Sequence, residues 1–210
     1  YIETLPFALW PVGPLDIWRL CMVIGGSILA LSSFKRRYRY GWPICFLALW
    51  MPNKRHTVPY GEMRLHVLDV GQGSAVLIET ATHRALFDAG PAYPGGYSAG
   101  SRVIWPYMQG LDMDQLDAVI ISHPDLDHIG GLSALAEHIR IDAGYSSAPH
   151  SLGGLPEQLC RSGQSWVWDN VTFSFVWPSS GVEPLSKNNN SCVLQIRTRY
   201  NRALLTADIE

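Results

Sequence analysis

Residues 123–128 place four metal-competent side chains within six residues, directly after a short apolar run. The segment reads His-Pro-Asp-Leu-Asp-His, follows Ala-Val-Ile-Ile at 118–121 and ends in Ile-Gly-Gly at 129–131. A buried strand cannot end in so many polar groups unless each is hydrogen-bonded or paired. One or two metal ions satisfy all of these side chains at once, so the pattern predicts a metal site at the end of a buried strand. The competing interpretation is a polar turn in which Asp127 caps the helix near Gly131.

The length limits how many domains the chain can form, and the overall charge does not indicate a particular class of partner. With 210 residues, the chain is long enough for one full domain and something smaller. Sixteen basic and 18 acidic residues give a net charge of −2, so only a local patch would mark a nucleic-acid-binding protein. Charged residues are scarce, at 16%, and eight residues are Trp. Most of the apolar excess lies in residues 1–52, and the rest has the composition of a soluble domain.

The first 52 residues predict a helical membrane segment. Leu20–Leu31 carries no charge, and residues 15–34 supply the about 20 residues that a spanning helix needs. A second apolar stretch at 41–51 is short for a span. The basic cluster at 35–39 between them marks a cytoplasmic loop by the positive-inside rule. A helical hairpin of a soluble protein is the alternative.

Residues 53–60 are interpreted as a linker, and residues 61–210 as a sheet-rich α/β domain. Apolar and alternating runs predict strands at 63–69, 75–80, 84–88, 116–122, 165–168, 171–177, 192–198 and 203–206. Helices are expected at 102–110, where Pro106 breaks the helix, and at 132–139, with a loop at 89–101. The four cysteines form no Cys-x-x-Cys pair. A disulfide between Cys160 and Cys192 is expected only if the domain faces an oxidising compartment.

Three further segments carry polar groups that suit a site. In Leu68–Ser74 two glycines flank Gln72 in a tight turn, from which Asp69 or Gln72 can reach a site, although such a turn is more often only a turn. The run Lys-Asn-Asn-Asn-Ser at 187–191 either closes a hairpin or turns amide and hydroxyl groups toward metals or a phosphate. The strand at 204–206 delivers Asp208 at its end, as a metal ligand or as an ordinary turn residue.

Together these motifs resemble the metallo-β-lactamase superfamily and, more closely, the hydrolase domain of the ComEC family of DNA-uptake channel proteins. The resemblance covers residues 61–210, and the apolar segment before it stands where such a protein ends its channel domain. It rests on Leu-Asp-Val-Gly-Gln-Gly at 68–73, Phe-Asp-Ala-Gly-Pro at 87–91, the His-x-Asp-x-Asp-His-x-Gly-Gly run at 123–131, Asn-Asn-x-Ser-x-Val-Leu at 188–194 and Leu-Leu-Thr-Ala-Asp at 204–208.

The resemblance implies an αββα sandwich, here truncated at its C-terminal end, with two divalent metal ions at one edge of the sheets. It assigns the metal ligands as His123 and Asp125 on one ion, Asp127 and His128 on the other, and Asp208 as the bridge. Most of the superfamily has His in place of Asp125, and the added carboxylate makes the site harder, so Mn²⁺ suits it as well as Zn²⁺. The chain is expected to be a piece of a longer protein, with a further His ligand beyond Glu210.

The function implied by the resemblance is that of a membrane-anchored nuclease. On the outer face of the bacterial inner membrane it would degrade one strand of incoming DNA, working with other proteins of the uptake machinery. Asp127 and His128 would be catalytic. The expected substrate-binding residues are Gln72, Asn188, Asn189 and Ser191. Arg197, Arg199 and Arg202 either contact the DNA backbone or form the solvated face of a strand. The alternatives are a membrane-tethered hydrolase of a small ester, lactam or phosphoester, and a non-catalytic DNA-binding module.

Overall fold

The computed structural model describes residues 17–31, 57–148, 150–179 and 188–209. The chain divides into two compact units, residues 1–56 and 57–210. The described part of the first unit is helix α1, Ile17–Leu31, which lies within the predicted spanning segment. Among the described residues, no helix is both long and apolar enough to cross a membrane. The predicted basic loop, the second apolar stretch and the first half of the linker lie outside the described residues.

The second unit is built from two large sheets and three short helices. Its strands are β1 (Arg64–Val67), β2 (Val76–Glu79), β3 (Arg84–Phe87), β4 (Ala92–Tyr93), β5 (Tyr97–Ser98), β6 (Gln115–Leu116), β7 (Ala118–Ile121), β8 (Arg140–Ile141), β9 (Gly144–Ser146), β10 (Glu157–Leu159), β11 (Ser165–Trp168), β12 (Val171–Trp177), β13 (Val193–Arg197) and β14 (Arg202–Leu205). Its helices are α2 (Trp105–Gly110), entered through a π-helical turn at Gly100–Ile104, α3 (Leu126–Ile129) and α4 (Leu132–Ala136).

The larger sheet has six strands in the order β1-β2-β3-β7-β9-β10. Its first three strands are antiparallel, and β3, β7, β9 and β10 run parallel. The smaller sheet is an antiparallel β11-β12-β13-β14 meander. Strands β3 and β7 therefore end at the same edge of the larger sheet, and the polar motifs that follow them emerge side by side.

Successive side chains along the strands of the larger sheet point to opposite faces and pack into two separate hydrophobic cores. Leu77, Leu86 and Val119 pack with α2 and α4 in the first core. Their neighbours Ile78 and Phe87 face the smaller sheet in the second core. Strands buried on both faces read as continuous apolar runs, which explains the sequence at 118–121. Each α-helix described between 57 and 209 contributes to the first core and none to the second. The described residues thus form a helix–sheet–sheet arrangement.

Three local predictions need correction. Pro106 does not end the predicted helix, because the π-helical turn at Gly100–Ile104 continues into α2, which runs past Pro106 to Gly110. The predicted loop at 89–101 contains the β4–β5 hairpin. Strands β8 to β10 were not predicted, because two or three residues are too few to show an alternating pattern.

The Cys160–Cys192 disulfide is present and buried. Cys160 follows β10 of the larger sheet, and Cys192 precedes β13 of the smaller one, with 5.9 Å between their Cα atoms. The cross-link therefore joins the two sheets directly. The Cys192 N–H also donates to the Ser122 carbonyl, which fixes the start of β13 against the end of β7.

A second polar tie between the sheets is made by Asp169, at the turn between β11 and β12. Its carboxylate accepts hydrogen bonds from the β2–β3 turn, namely from Thr80 Oγ1 at 2.6 Å, Thr82 N at 2.7 Å and Thr82 Oγ1 at 2.9 Å. His83 Nδ1 lies 3.2 Å away. Burial by itself would raise the pKa of Asp169, but these hydrogen bonds outweigh it and hold the pKa well below its ordinary value.

We expect Asp169→Asn to lower the free energy of unfolding by about 2 kcal/mol at pH 6, because an amide cannot accept all of these bonds. The folded-state pKa lies below the unfolded value of about 3.9, so the ionised carboxylate stabilises the fold above about pH 5. Its contribution is lost as the pH falls toward 2. Urea unfolding of parent and variant should show a smaller difference in the free energy of unfolding at pH 3 than at pH 6. The exposed Asp114→Asn is the matched control, and an equal loss in that variant would contradict the assignment.

Candidate metal centre

The candidate site forms where β3, β7 and β14 end together with helix α3. His123 lies two residues beyond β7, and Asp127 and His128 lie in α3. Asp125 is the N-cap residue of α3 but makes no capping hydrogen bond with its side chain. Asp208 follows β14. The capping interpretation of Asp127 therefore does not hold, because that residue is inside the helix with its carboxylate directed at the site.

The structure brings together the five side chains predicted as metal ligands. Ligand atoms of His123, His128 and Asp208 all lie within 4.8 Å of one another. His123 Nε2 is 3.6 Å from Asp125 Oδ2. His128 Nε2 is 3.7 Å from Asp127 Oδ2 and 3.4 Å from Asp208 Oδ2. The histidines are almost fully buried, whereas Asp125, Asp127 and Asp208 are partly exposed, so the site opens to solvent on its carboxylate side.

This arrangement fits a metal ion. His128 Nε2 is buried and makes no hydrogen bond among the described residues, although such atoms are normally satisfied. Two ligands of a tetrahedral ion with bonds of about 2.1 Å lie about 3.4 Å apart, close to the spacing of each histidine from its carboxylate partners. Imidazole nitrogens with carboxylate oxygens form a donor set for Zn²⁺ or a harder ion such as Mn²⁺.

Asp88 is the central residue that sequence reasoning missed. It directly follows β3, is fully buried and has a φ of 58°. Its Oδ2 accepts from Ser74 Oγ at 2.6 Å and Ser122 Oγ at 2.9 Å, and lies 2.8 Å from His128 Nδ1. Its Oδ1 accepts the Ser122 N–H at 2.7 Å. A buried carboxylate with this many donors is a fixed anion behind the histidines.

Asp88 and Ser122 together set the tautomers of both histidines. His128 presents its Nδ1 to Asp88, so a proton on Nδ1 leaves the Nε2 lone pair free for a metal. His123 Nδ1 lies 3.0 Å from Ser122 Oγ. Because that hydroxyl donates its proton to Asp88, it can only accept from His123. The Nδ1 atoms of both imidazoles are therefore held by the Asp88 carboxylate, directly for His128 and through the Ser122 hydroxyl for His123. Both histidines present Nε2 to the site.

The two histidines differ in the direction in which their pKa is shifted. Burial, followed by the neighbouring His128, lowers the pKa of His123. Burial also acts to lower the pKa of His128, but the Asp88 hydrogen bond and the surrounding carboxylates outweigh it and raise the pKa. A metal must therefore displace a more tightly held proton at His128 than at His123.

An open cleft of about 480 Å³ lies against the metal-ligand cluster. It is lined by Gln72, Gly73, Ser74, Val76, Phe87, Asp127, His128 and residues 204–208. Gln72 thus lies where a substrate contact was predicted. None of the described residues that line the cleft is Lys or Arg, so these side chains supply no permanent positive charge for a phosphate.

The residues predicted around 188–191 are not among the described residues that line the cleft, and Ser191 lies beside His123. Asn188 and Asn189 belong to a 3₁₀ turn. The Asn189 carbonyl accepts from Trp177 Nε1, and the Asn188 carbonyl accepts from the buried Ser191 hydroxyl. Ser191 Oγ also lies 3.4 Å from His123 Nδ1. In this structure Ser191 supports a predicted ligand, and the substrate-binding role of all three residues stays a prediction.

Comparison with known proteins identifies related chains. The model of the metallo-beta-lactamase superfamily matches residues 68–210. An uncharacterized protein of Escherichia coli, YcaI, is 33% identical over 100% of this chain and 24% of its own length. Competence protein ComA of Neisseria gonorrhoeae is 32% identical over 80% of this chain and 23% of its own. Recombination protein 2 of Haemophilus influenzae is 32% identical over 70% of this chain and 18% of its own length. The chain thus spans about a quarter or less of the length of these relatives.

Proposed function

Because the chain belongs to the metallo-β-lactamase superfamily and is related to competence proteins of the ComEC family, we propose that it is the nuclease part of a DNA-uptake protein. Membership in the superfamily implies a metal-dependent hydrolase. The proposed reaction is hydrolysis of phosphodiester bonds in one strand of incoming DNA, while the other strand enters the channel. DNA, the membrane and other proteins of the uptake machinery are the proposed partners.

The observation that carries the hydrolase proposal is the pair of buried imidazoles that present Nε2 to three carboxylates. His123 and Asp125 would hold one divalent ion, Asp127 and His128 a second, with Asp208 between them. Bound divalent ions lower the pKa of water and stabilise charge on a phosphate oxygen. Asp127 lines the cleft and is partly exposed, and it would accept a proton from an attacking water. Gln72, which lines the same cleft, would donate to a phosphate oxygen.

We also propose that this domain faces the extracytoplasmic side of the bacterial inner membrane. The buried Cys160–Cys192 disulfide supports this location, because disulfides persist in oxidising compartments and are rare in the cytosol. The relation to a protein named for competence is consistent with a position where DNA arrives from outside.

Alanine at both Asp127 and His128 should abolish metal-dependent nuclease activity, because one variant removes the water-facing carboxylate and a buried nitrogen ligand together. Release of nucleotides from single-stranded DNA, with Zn²⁺ or Mn²⁺ added, measures this in the full-length protein. Asp142→Ala together with His150→Ala removes the same residue types elsewhere and should leave activity unchanged. Cleavage of single-stranded DNA at the parental rate by the Asp127/His128 double variant would contradict the nuclease proposal.

A hydrolase of a small ester, lactam or phosphoester is the second candidate, favoured by the absence of Lys and Arg from the described cleft lining. A competition assay separates the two candidates, in which hydrolysis of a small ester is measured with and without single-stranded DNA. A small-substrate enzyme would hydrolyse the ester without inhibition by the DNA. Elemental analysis of the full-length protein tests both against a non-catalytic DNA-binding module, which would contain no stoichiometric metal.

A further inference from the structure

The turn between β13 and β14 concentrates positive charge and an exposed aromatic ring. Arg197 and Arg202 flank it, Arg199 and Tyr200 lie at its tip, and all four are exposed. Tyr200 is 76% exposed although it is one of the larger apolar side chains. In a chain with a net charge of −2, these six residues hold three arginines and no acidic residue.

The arginines are placed at a cost to stability. Arg197 and Arg202 are direct cross-strand partners in the β13–β14 ladder. Like charges at such positions repel each other and destabilise a hairpin. Among the described residues, neither these two nor Arg199 forms an ion pair with an acidic side chain, in contrast to Arg140, which pairs with Asp142. An anionic partner bound at this hairpin would relieve the repulsion between the arginines.

The turn is closed by its own hydrogen bonds in the absence of a partner. Thr198 N donates to the Asn201 carbonyl at 2.9 Å, and Thr198 Oγ1 accepts from Asn201 N at 3.0 Å and Tyr200 N at 3.3 Å. The Arg199 guanidinium stands 5.2 Å from the centroid of the Tyr200 ring. One side of the ring is thus covered by a cation, and the remaining exposed surface is available for stacking. Preorganisation of this kind reduces the entropy lost on binding.

We propose that this hairpin, residues 197–202, is a binding element for single-stranded nucleic acid. Arginines that neutralise phosphates, next to an aromatic ring on which a base stacks, are the combination by which proteins hold single strands without sequence preference. Strand β14 leads from the hairpin to Asp208 over six residues, roughly 20 Å of extended chain. The hairpin supplies the positive charge that the cleft lacks, at a distance that a few nucleotides span.

This inference rests on the proposed function, since it names the part of the chain that would hold the DNA substrate away from the metals. Binding is therefore measured apart from hydrolysis, as fluorescence anisotropy of a labelled oligo-dT strand with EDTA present. Arg197→Gln, Arg199→Gln and Arg202→Gln combined should weaken binding tenfold or more and reduce the dependence of log K on log salt by about 2. Tyr200→Ala should weaken binding about fivefold or more.

The matched control replaces three exposed arginines elsewhere, Arg102, Arg140 and Arg161, by Gln, which makes the same change in net charge. This control should bind as the parent does. An equal loss of affinity in the control, or unchanged binding by the hairpin variant, would overturn the proposal. A hairpin that binds anionic phosphatidylglycerol vesicles but not oligo-dT would also overturn it in favour of a membrane contact.

Arg202→Glu separates function from folding. It creates an opposite-charge pair with Arg197, so the thermal midpoint should rise by about 1–4 °C. The same change should weaken oligo-dT binding tenfold or more, which a structural role for Arg202 would not produce. If binding stays at the parental level while the midpoint rises, the arginines are not a nucleic-acid contact, whatever the outcome of the separate nuclease assay.

Discussion

Replacing Asp88 by Asn is expected to weaken the affinity for Zn²⁺ or Mn²⁺ by about 10- to 100-fold and to remove most of the hydrolytic activity. The Asn side chain is close in size, but its amide group is a donor, whereas all four contacts of Asp88 come from groups that donate or can donate. Facing an amide N–H, His128 would turn its Nδ1 lone pair toward residue 88. Its proton would then sit on Nε2, where the metal must bind.

Calorimetric titration of the metal-free protein with each ion measures this effect without reference to activity. Asp117→Asn is the matched control, because Asp117 also accepts a backbone hydrogen bond, from Arg84 N at 2.7 Å, but does not contact a histidine. That variant should lose some stability and keep its metal affinity. If folded Asp88→Asn protein bound metal as tightly as the parent, the tautomer role assigned to Asp88 would be wrong.

The features that could be predicted from the sequence are those marked by a pattern within a few consecutive residues. Eight predicted strands are present within a few residues of their predicted ends, because runs of four to seven apolar or alternating residues mark each one. The superfamily was identified correctly from its motifs, as the match over 68–210 shows. The clustering of His123, His128 and Asp208 followed from that resemblance and not from spacing, since 80 residues separate the last two.

The missed residues act through contacts that no local pattern contains. Asp88 reaches Ser122 across 34 residues and His128 across 40. One signal was available, because Phe-Asp-Ala-Gly at 87–90 presents an Asp at the end of a strand, in the same way as Asp208. The polar run at 187–191 led to the prediction that Ser191 contacts substrate, and that role stays a prediction. Burial places the Ser191 hydroxyl against the Asn188 carbonyl and beside His123.

Gly73→Ala is expected to destabilise the domain by about 3 kcal/mol or more, or to prevent folding. Gly73 has a φ of 101°, which L side chains rarely adopt, and a Cβ at this position would stand 1.9 Å from the Asp127 carbonyl oxygen. The neighbouring atom is backbone, so α3 itself would have to move. The turn between the two glycines is therefore a packing surface for the helix that carries Asp127 and His128, and not only a turn.

Gly71→Ala provides the matched control within the same turn. Gly71 has a φ of 80°, but nothing lies within 4 Å of the added Cβ, so only backbone strain of about 1–2 kcal/mol is expected. Urea unfolding of both variants, with metal titration of whatever folds, separates strain from displacement of α3. Gly71→Ala should keep its metal affinity, whereas any folded Gly73→Ala protein should bind metal more weakly. Equal destabilisation of the two variants, with metal affinity intact in both, would show that the close approach of Gly73 to Asp127 does not hold the site in place.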